Sequence, residues 1–149
     1  MVLDASLVGK PFPSAEPYQV GREKVREFAT AIGDTNPACH ELAAARALGY
    51  SDLVAPPTFG FILQMRAMNT VLFDPSVGVE LARVIHGEQK FDYVRPIVAG
   101  DVIVVTPTIE EVKSRPGMDM ITVRGDLTDA NGQVVGSLRS VIVHRTLEG

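Results

Sequence analysis

The architecture hangs on TFGFILQMRAMNTVLF, residues 58–73. Its apolar residues fall on nearly every side of a helical wheel, the pattern of a helix surrounded by protein rather than lying on a surface. Pro56 and Pro57 interrupt whatever precedes it, and Thr58 stands where it can cap the first turn. The run is shorter than the ~20 apolar residues that a bilayer span requires, and it carries Gln64, Arg66 and Asn69, so a membrane helix is not expected.

Beyond Asp74-Pro75 the periodicity changes. ARVIHGEQKFDYVRP (82–96), DVIVVTPTIEEVKS (101–114), MDMITVRGDLTD (118–129) and QVVGSLRSVIVHR (133–145) are rich in β-branched residues and separated by turn formers. Asp129-Ala130-Asn131-Gly132 carries an Asn-Gly hairpin signal, and Pro96–Asp101 and Ser114–Gly117 supply further turns, so the sheet is expected to be mainly antiparallel. In the third segment Ile121, Val123 and Leu127 share one face, as in a half-buried strand. Tyr18 to Val20 is a candidate first strand. One curved antiparallel sheet wrapped around a central apolar helix accounts for this order: an α+β class, single hot-dog fold over residues 1–149. A lone sheet of that kind leaves an edge open and gains by pairing, so a dimer is expected.

Ahead of the central helix, GREKVREFATAIG (21–33) sets Val25, Phe28, Ala29 and Ile32 at the spacing of one helical face, with Gly33 as a C-terminal stop. Its other face, Arg22, Glu23, Lys24, Arg26 and Glu27, is solvated charge. ELAAARALG (41–49) reads as a second, short helix closed by Gly49. At 149 residues the chain can bury roughly two thirds of its unfolded surface, enough for one self-sufficient core. Net charge is −4, with 14 Lys and Arg scattered along the chain, which leaves no footprint for nucleic acid. The lone Cys39 cannot form an internal disulfide, and MVLDASLVGKPF lacks a basic start followed by an apolar stretch, so a cytoplasmic protein is expected.

Between the helices lies the chemistry. GDTNPACHELAAARALGYSDLVAPPTF (33–59) gathers an acid, an Asn-Pro turn and a histidine within a few residues. This stretch resembles the hydratase signature of the MaoC-like (R)-specific enoyl hydratases and dehydratases, and IHGEQKFDYVRPIVAGD (85–101) resembles a strand segment of their amino-terminal dehydratase-type relatives. The likeness is nearest to the actinobacterial accessory-subunit type of heterodimeric (3R)-hydroxyacyl-carrier-protein dehydratase. It implies a hot-dog protein that takes part in reversible hydration of trans-2-enoyl thioesters, with acyl-CoA or an acyl-carrier-protein thioester as partner. It also implies a homodimer, or a heterodimer with a second hot-dog subunit, with no cofactor and no metal.

In active members the pattern is Gly-Asp-x-Asn-Pro-x-His, where Asp and His hold the water that adds to carbon three. Gly33, Asp34, Asn36 and Pro37 match it, Cys39 stands at the histidine position, and His40 falls one residue late. Because a general base must come within hydrogen-bond reach of its proton, two arrangements are open. Either a bulge brings His40 into a catalytic pair with Asp34, or His40 faces elsewhere and the site is incomplete.

Elimination of water also needs a donor at the thioester carbonyl, where enolate charge develops. The resemblance places that donor at the start of the central helix, whose first N–H groups lack intrahelical acceptors. Relatives often carry glycine beside histidine there; this chain has Pro56-Pro57-Thr58, and proline has no N–H, so Thr58 or Phe59 would donate. The candidate set is therefore Asp34 and His40 for catalysis, with Asn36, Cys39, Thr58, Phe59 and Gly60 for substrate binding.

Plainer roles stand beside these. Asp34 and Asn36 suit a turn in any protein, Cys39 suits a small buried or lining position, and His86 and His144 suit structural positions. Phe59, Phe61, Ile62 and Met65 would serve core packing or wall an acyl tunnel equally well. Arg95 and Lys90 are candidates for thioester phosphates or simply solvated cations. A non-catalytic acyl-thioester binding or regulatory protein is the alternative reading.

Overall fold

In the computed structural model, residues 3–146 are described; the outermost parts of the expected domain, 1–2 and 147–149, lie outside the described residues. The elements in chain order are β1 (Tyr18–Gln19), α1 (Arg22–Ala31), α2 (Leu42–Ala47), α3 (Gly60–Leu72), β2 (Val84–Tyr93), β3 (Val102–Arg115), β4 (Met118–Thr128) and β5 (Val134–Arg145). Among them the five strands form one antiparallel sheet in the order β1-β3-β4-β5-β2. The sheet curls around α3 in the expected hot-dog arrangement.

Alternation along β4 drives this packing. Ile121, Val123 and Leu127 have no solvent exposure, and Leu63, Ala67, Met68 and Val71 of α3 are buried against the same concave face. Each such large aliphatic side chain contributes about 1.5–3 kcal/mol when fully buried. Gln64 is the polar member of that face: its Nε2 donates to the Val123 carbonyl at 3.1 Å, and Gly125 leaves room for its amide. The Asn-Gly turn forms as expected, with Asp129 Oδ1 accepting from the N–H groups of Asn131 and Gln133 at 2.9 Å each.

Three local expectations are corrected. Ile32 is 51% exposed, because α1 ends at Ala31 and buries only Val25 and Ala29, so the predicted face stops one turn short. Thr58 is exposed and makes no capping bond; a 3-10 turn over Pro57–Phe59 leads into α3 instead. The central helix is enclosed only on its sheet side: Met65 is 36% and Phe73 64% exposed, since one curled sheet covers half of a cylinder. Beside that uncovered side runs β2, an edge strand that among the described residues pairs with β5 alone. Among the described residues, no helix is long and apolar enough to cross a membrane.

Candidate functional site

The loop after α1 is built from its own short-range hydrogen bonds. Gly33 takes a positive φ of 72°, which a side chain would disfavour, and so turns the chain away from the helix. Asp34 then folds back, its N–H donating to the Ala29 carbonyl at 2.8 Å. Asp34 Oδ1 accepts from Asn36 N–H at 2.9 Å, and Asn36 Oδ1 accepts from Ala38 N–H at 3.1 Å. Pro37 starts a 3-10 turn ending at Cys39. Asp34 and Asn36 therefore do the turn-forming work expected of them in any protein, while their side chains still line a cavity.

That turn decides where the next two residues point. Cys39 is directed inward, 2% exposed, with Sγ 4.0 Å from Asp34 Oδ2. Burial, and secondarily the Asp34 charge, push its thiol pKa up, so it stays protonated. His40 turns the other way. Its Nε2 lies 2.7 Å from the Asp34 backbone carbonyl, and since a carbonyl only accepts, that nitrogen carries the hydrogen. Arg26 clamps the same residue by donating to the His40 carbonyl at 2.9 Å. The imidazole is thus bonded to Asp34 through the main chain, and no hydrogen bond or ion pair joins the two side chains among the described residues.

Asp34, Asn36 and Cys39 share a cavity of about 300 Å³ with Pro57, Tyr93 and Arg95; His40 is not part of its wall. Arg95 donates to the Asp101 carboxylate at 2.8 and 3.0 Å and lies 3.6 Å from Asp129, so its charge is already matched at the cavity rim. Lys90 lies elsewhere, on the outer face of the sheet, paired to Glu88 at 3.3 Å. A larger depression of about 470 Å³ on that outer face is lined by mixed charges including Glu110, Lys113 and Arg139 and shares no lining residue with the Asp34 cavity. Among the described residues no group of His, Cys, Asp and Glu could hold a metal ion.

At the start of α3, the Phe59 N–H is taken by the Pro56 carbonyl at 2.9 Å, and the Phe59 ring is wholly buried. Gly60 is the more revealing neighbour. A Cβ there would lie 2.5 Å from the Tyr93 hydroxyl oxygen and 3.0 Å from Leu138 Cδ1. Tyr93 donates to the Pro57 carbonyl at 2.6 Å. Burial raises its phenol pKa to about 12, a rise that the neighbouring Gly60 amide partly offsets. Tyr93 was not among the expected site residues; it sits in the quoted strand segment 85–101, where a half-buried tyrosine reads as an ordinary strand residue. Of the proposed tunnel wall, Phe59 belongs to the core, whereas Phe61 stacks on His86 with ring centres 5.1 Å apart, beside the uncovered side of α3.

The comparisons with known proteins agree with this architecture. A family model described as FAS1-like, dehydratase domain region, matches residues 6–138. A UPF0336 protein of Streptomyces griseus subsp. griseus is 51% identical over 148 residues, covering 99% of both chains. A solved MaoC-like dehydratase superposes with a TM-score of 0.85 at 39% identity over 95% of this chain, which spans 43% of that chain's length. A chain of the C-terminally truncated HadBC (3R-hydroxyacyl-ACP dehydratase) complex from Mycobacterium tuberculosis gives a TM-score of 0.83 at 30% identity, covering 92% of this chain and 96% of that one.

Proposed function

Because the chain belongs to the FAS1-like dehydratase-region family and is a MaoC-like hot-dog protein, we propose that it binds fatty acyl thioesters in the cytoplasm, all of 1–149 forming one domain. It serves reversible hydration of trans-2-enoyl thioesters as the substrate-binding subunit of a heterodimer, and the partner subunit brings the acid/base pair. The thioester is carried on coenzyme A or on a carrier protein.

One observation carries this reading. Elimination of water needs a base at carbon two and an acid at the departing hydroxyl, and imidazole suits both near neutral pH. Here the cavity wall presents a neutral thiol, Cys39, beside Asp34, and the imidazole of His40 is bonded outside that wall. The cavity keeps a carboxylate, an amide and an apolar lining, which suit holding a thioester better than moving its protons. The uncovered side of α3 and the β2 edge offer the surface for a second hot-dog subunit, and the HadBC neighbour is itself a complex.

The test is hydration of a short trans-2-enoyl-CoA by the purified chain alone, followed by loss of the enoyl thioester absorbance, beside Asp34→Asn and His40→Ala variants. Binding without turnover is the expected result. Turnover that both substitutions abolish would overturn the division of labour and make Asp34 and His40 a working pair in a stand-alone enzyme.

A further inference from the structure

We propose that the Asp34 cavity is a dead end sized for a short acyl thioester, and that Tyr93 is the wall that sets the limit on chain length. The inference rests on the acyl-thioester reading above and deepens it by naming the class of acyl group.

The floor is held by main chain. Cys39, Ala55 and Ile97 line the cavity, are almost wholly buried, and belong to the core cluster that includes Leu53, Phe59 and Ala99. The segments carrying them are bonded to one another: Ala55 N–H donates to the Ile97 carbonyl and Ala99 N–H to the Leu53 carbonyl, each at 2.9 Å, and Val54 N–H donates to the Ala38 carbonyl at 3.0 Å. Deepening the cavity in this direction would break those bonds.

Toward α3 the wall is Tyr93. Its hydroxyl, donating to the Pro57 carbonyl at 2.6 Å, latches the ring from β2 across to the segment before the helix. Glycines let it fit: a Cβ on Gly60 would lie 2.5 Å from the phenol oxygen, and one on Gly136, opposite on β5, 3.3 Å from Cδ1. The Phe91 ring stacks against it with centres 6.2 Å apart. Past the ring, the space between α3 and the sheet is filled, with Leu63, Gln64, Leu127 and Leu138 at most 1% exposed. An apolar chain entering beside Asp34 therefore meets a fixed floor and a latched ring.

The volume gives the class. At about 300 Å³ the cavity is twice the ~150 Å³ that accommodates benzene, room for about twelve non-hydrogen atoms. The sulfur and oxygen of a thioester with the adjoining arm take about half of that, which leaves about six carbons of acyl chain.

The test is a length series, butanoyl-, hexanoyl- and decanoyl-CoA, titrated into the purified chain. Each methylene that enters an apolar cavity is worth about fourfold in affinity. In the wild type, hexanoyl-CoA should bind about tenfold more tightly than butanoyl-CoA, and decanoyl-CoA no more tightly than hexanoyl-CoA, where an open interior would add more than about a hundredfold. In Tyr93→Ala, which frees the volume of a ring, decanoyl-CoA should gain at least about tenfold over hexanoyl-CoA. Tyr93→Leu, which removes less packing, serves where Tyr93→Ala does not fold. Decanoyl-CoA binding the wild type far more tightly than hexanoyl-CoA would overturn the length limit, and an unchanged length profile in the folded Tyr93 variant would overturn the wall. Straight-chain hexanol and decanol, which carry no thioester, are titrated in parallel against the methyl NMR signals of Ala55 and Ile97. If no acyl-CoA binds while the alcohols show the same break in length and the same response to Tyr93, the acyl-thioester reading falls and the size limit stands; if neither series reaches those methyl groups, both fall.

Discussion

Gly60 is where a single methyl group should matter most. Gly60→Ala puts a Cβ against the Tyr93 oxygen and the Leu138 side chain, and overpacking of this kind costs about 1–3 kcal/mol, read as a lower urea midpoint. Adding Tyr93→Phe should recover part of that loss, so the double variant is more stable than the sum of the singles implies. Cys39 offers a chemical check. Burial and the nearby Asp34 keep its thiol pKa above the free value, so at pH 8 it should react with a disulfide reagent at least about tenfold more slowly than a small free thiol and speed up on unfolding. His40→Ala removes a partly buried bond to the Asp34 carbonyl and should cost about 0.5–1.5 kcal/mol of stability. At this scale Asp34, Asn36 and Gly33 were legible in the sequence, because their bonds close within a few residues. The direction of His40 was left open between two arrangements, since adjacent residues on a 3-10 turn diverge by geometry that composition does not carry. Tyr93 was invisible for a different reason: its partners Pro57, Gly60 and Gly136 are brought to it only by strand register.

At the scale of elements, α1 is tied to the segment before α3 by a fork in which Arg22 donates to Asp52 at 2.8, 2.9 and 3.2 Å. That bond lowers the Asp52 pKa below its ordinary value, with Leu53 N–H and Arg46 assisting. A carboxyl whose folded pKa is depressed adds stability above its unfolded pKa and loses it as pH falls through the folded value. Thermal midpoints measured from pH 7 down to pH 3 should therefore drop less steeply for Asp52→Asn than for the wild type, starting from a lower value at neutral pH. The uncovered side of α3 makes the other prediction. If a second hot-dog subunit docks there, Met65→Glu combined with Phe73→Glu should leave the fold intact and lower association, seen as a smaller sedimentation coefficient. Helix α3 was recognisable from residues 58–73 because its apolar residues run all the way round. What that pattern did not disclose is that the described residues cover the helix on its sheet side and leave Met65 exposed on the other.

For the whole molecule, five antiparallel strands around one helix were anticipated from alternation in four segments and from their turns, and Ile121, Val123 and Leu127 lie on the buried face assigned to them. Strand order was not anticipated, because periodicity tells which face a strand buries and nothing about its neighbours. β2 does not pair with β3, the strand that follows it, but with β5, from Val84↔His144 to Tyr93↔Gly136. This has a consequence for how the chain is made. During synthesis β2 emerges well before β5, with which it pairs, and β3 and β4 can form their hairpin without it. Until β5 has left the ribosome, an apolar edge carrying Ile85 and Phe91 waits unpaired beside a half-covered helix, a condition that invites aggregation. Closing so distant a pair is slow by its topology, so a nascent chain stalled ahead of Val134 should be a client for chaperones and should gain protease resistance in one late step, when β5 zips between β4 and β2.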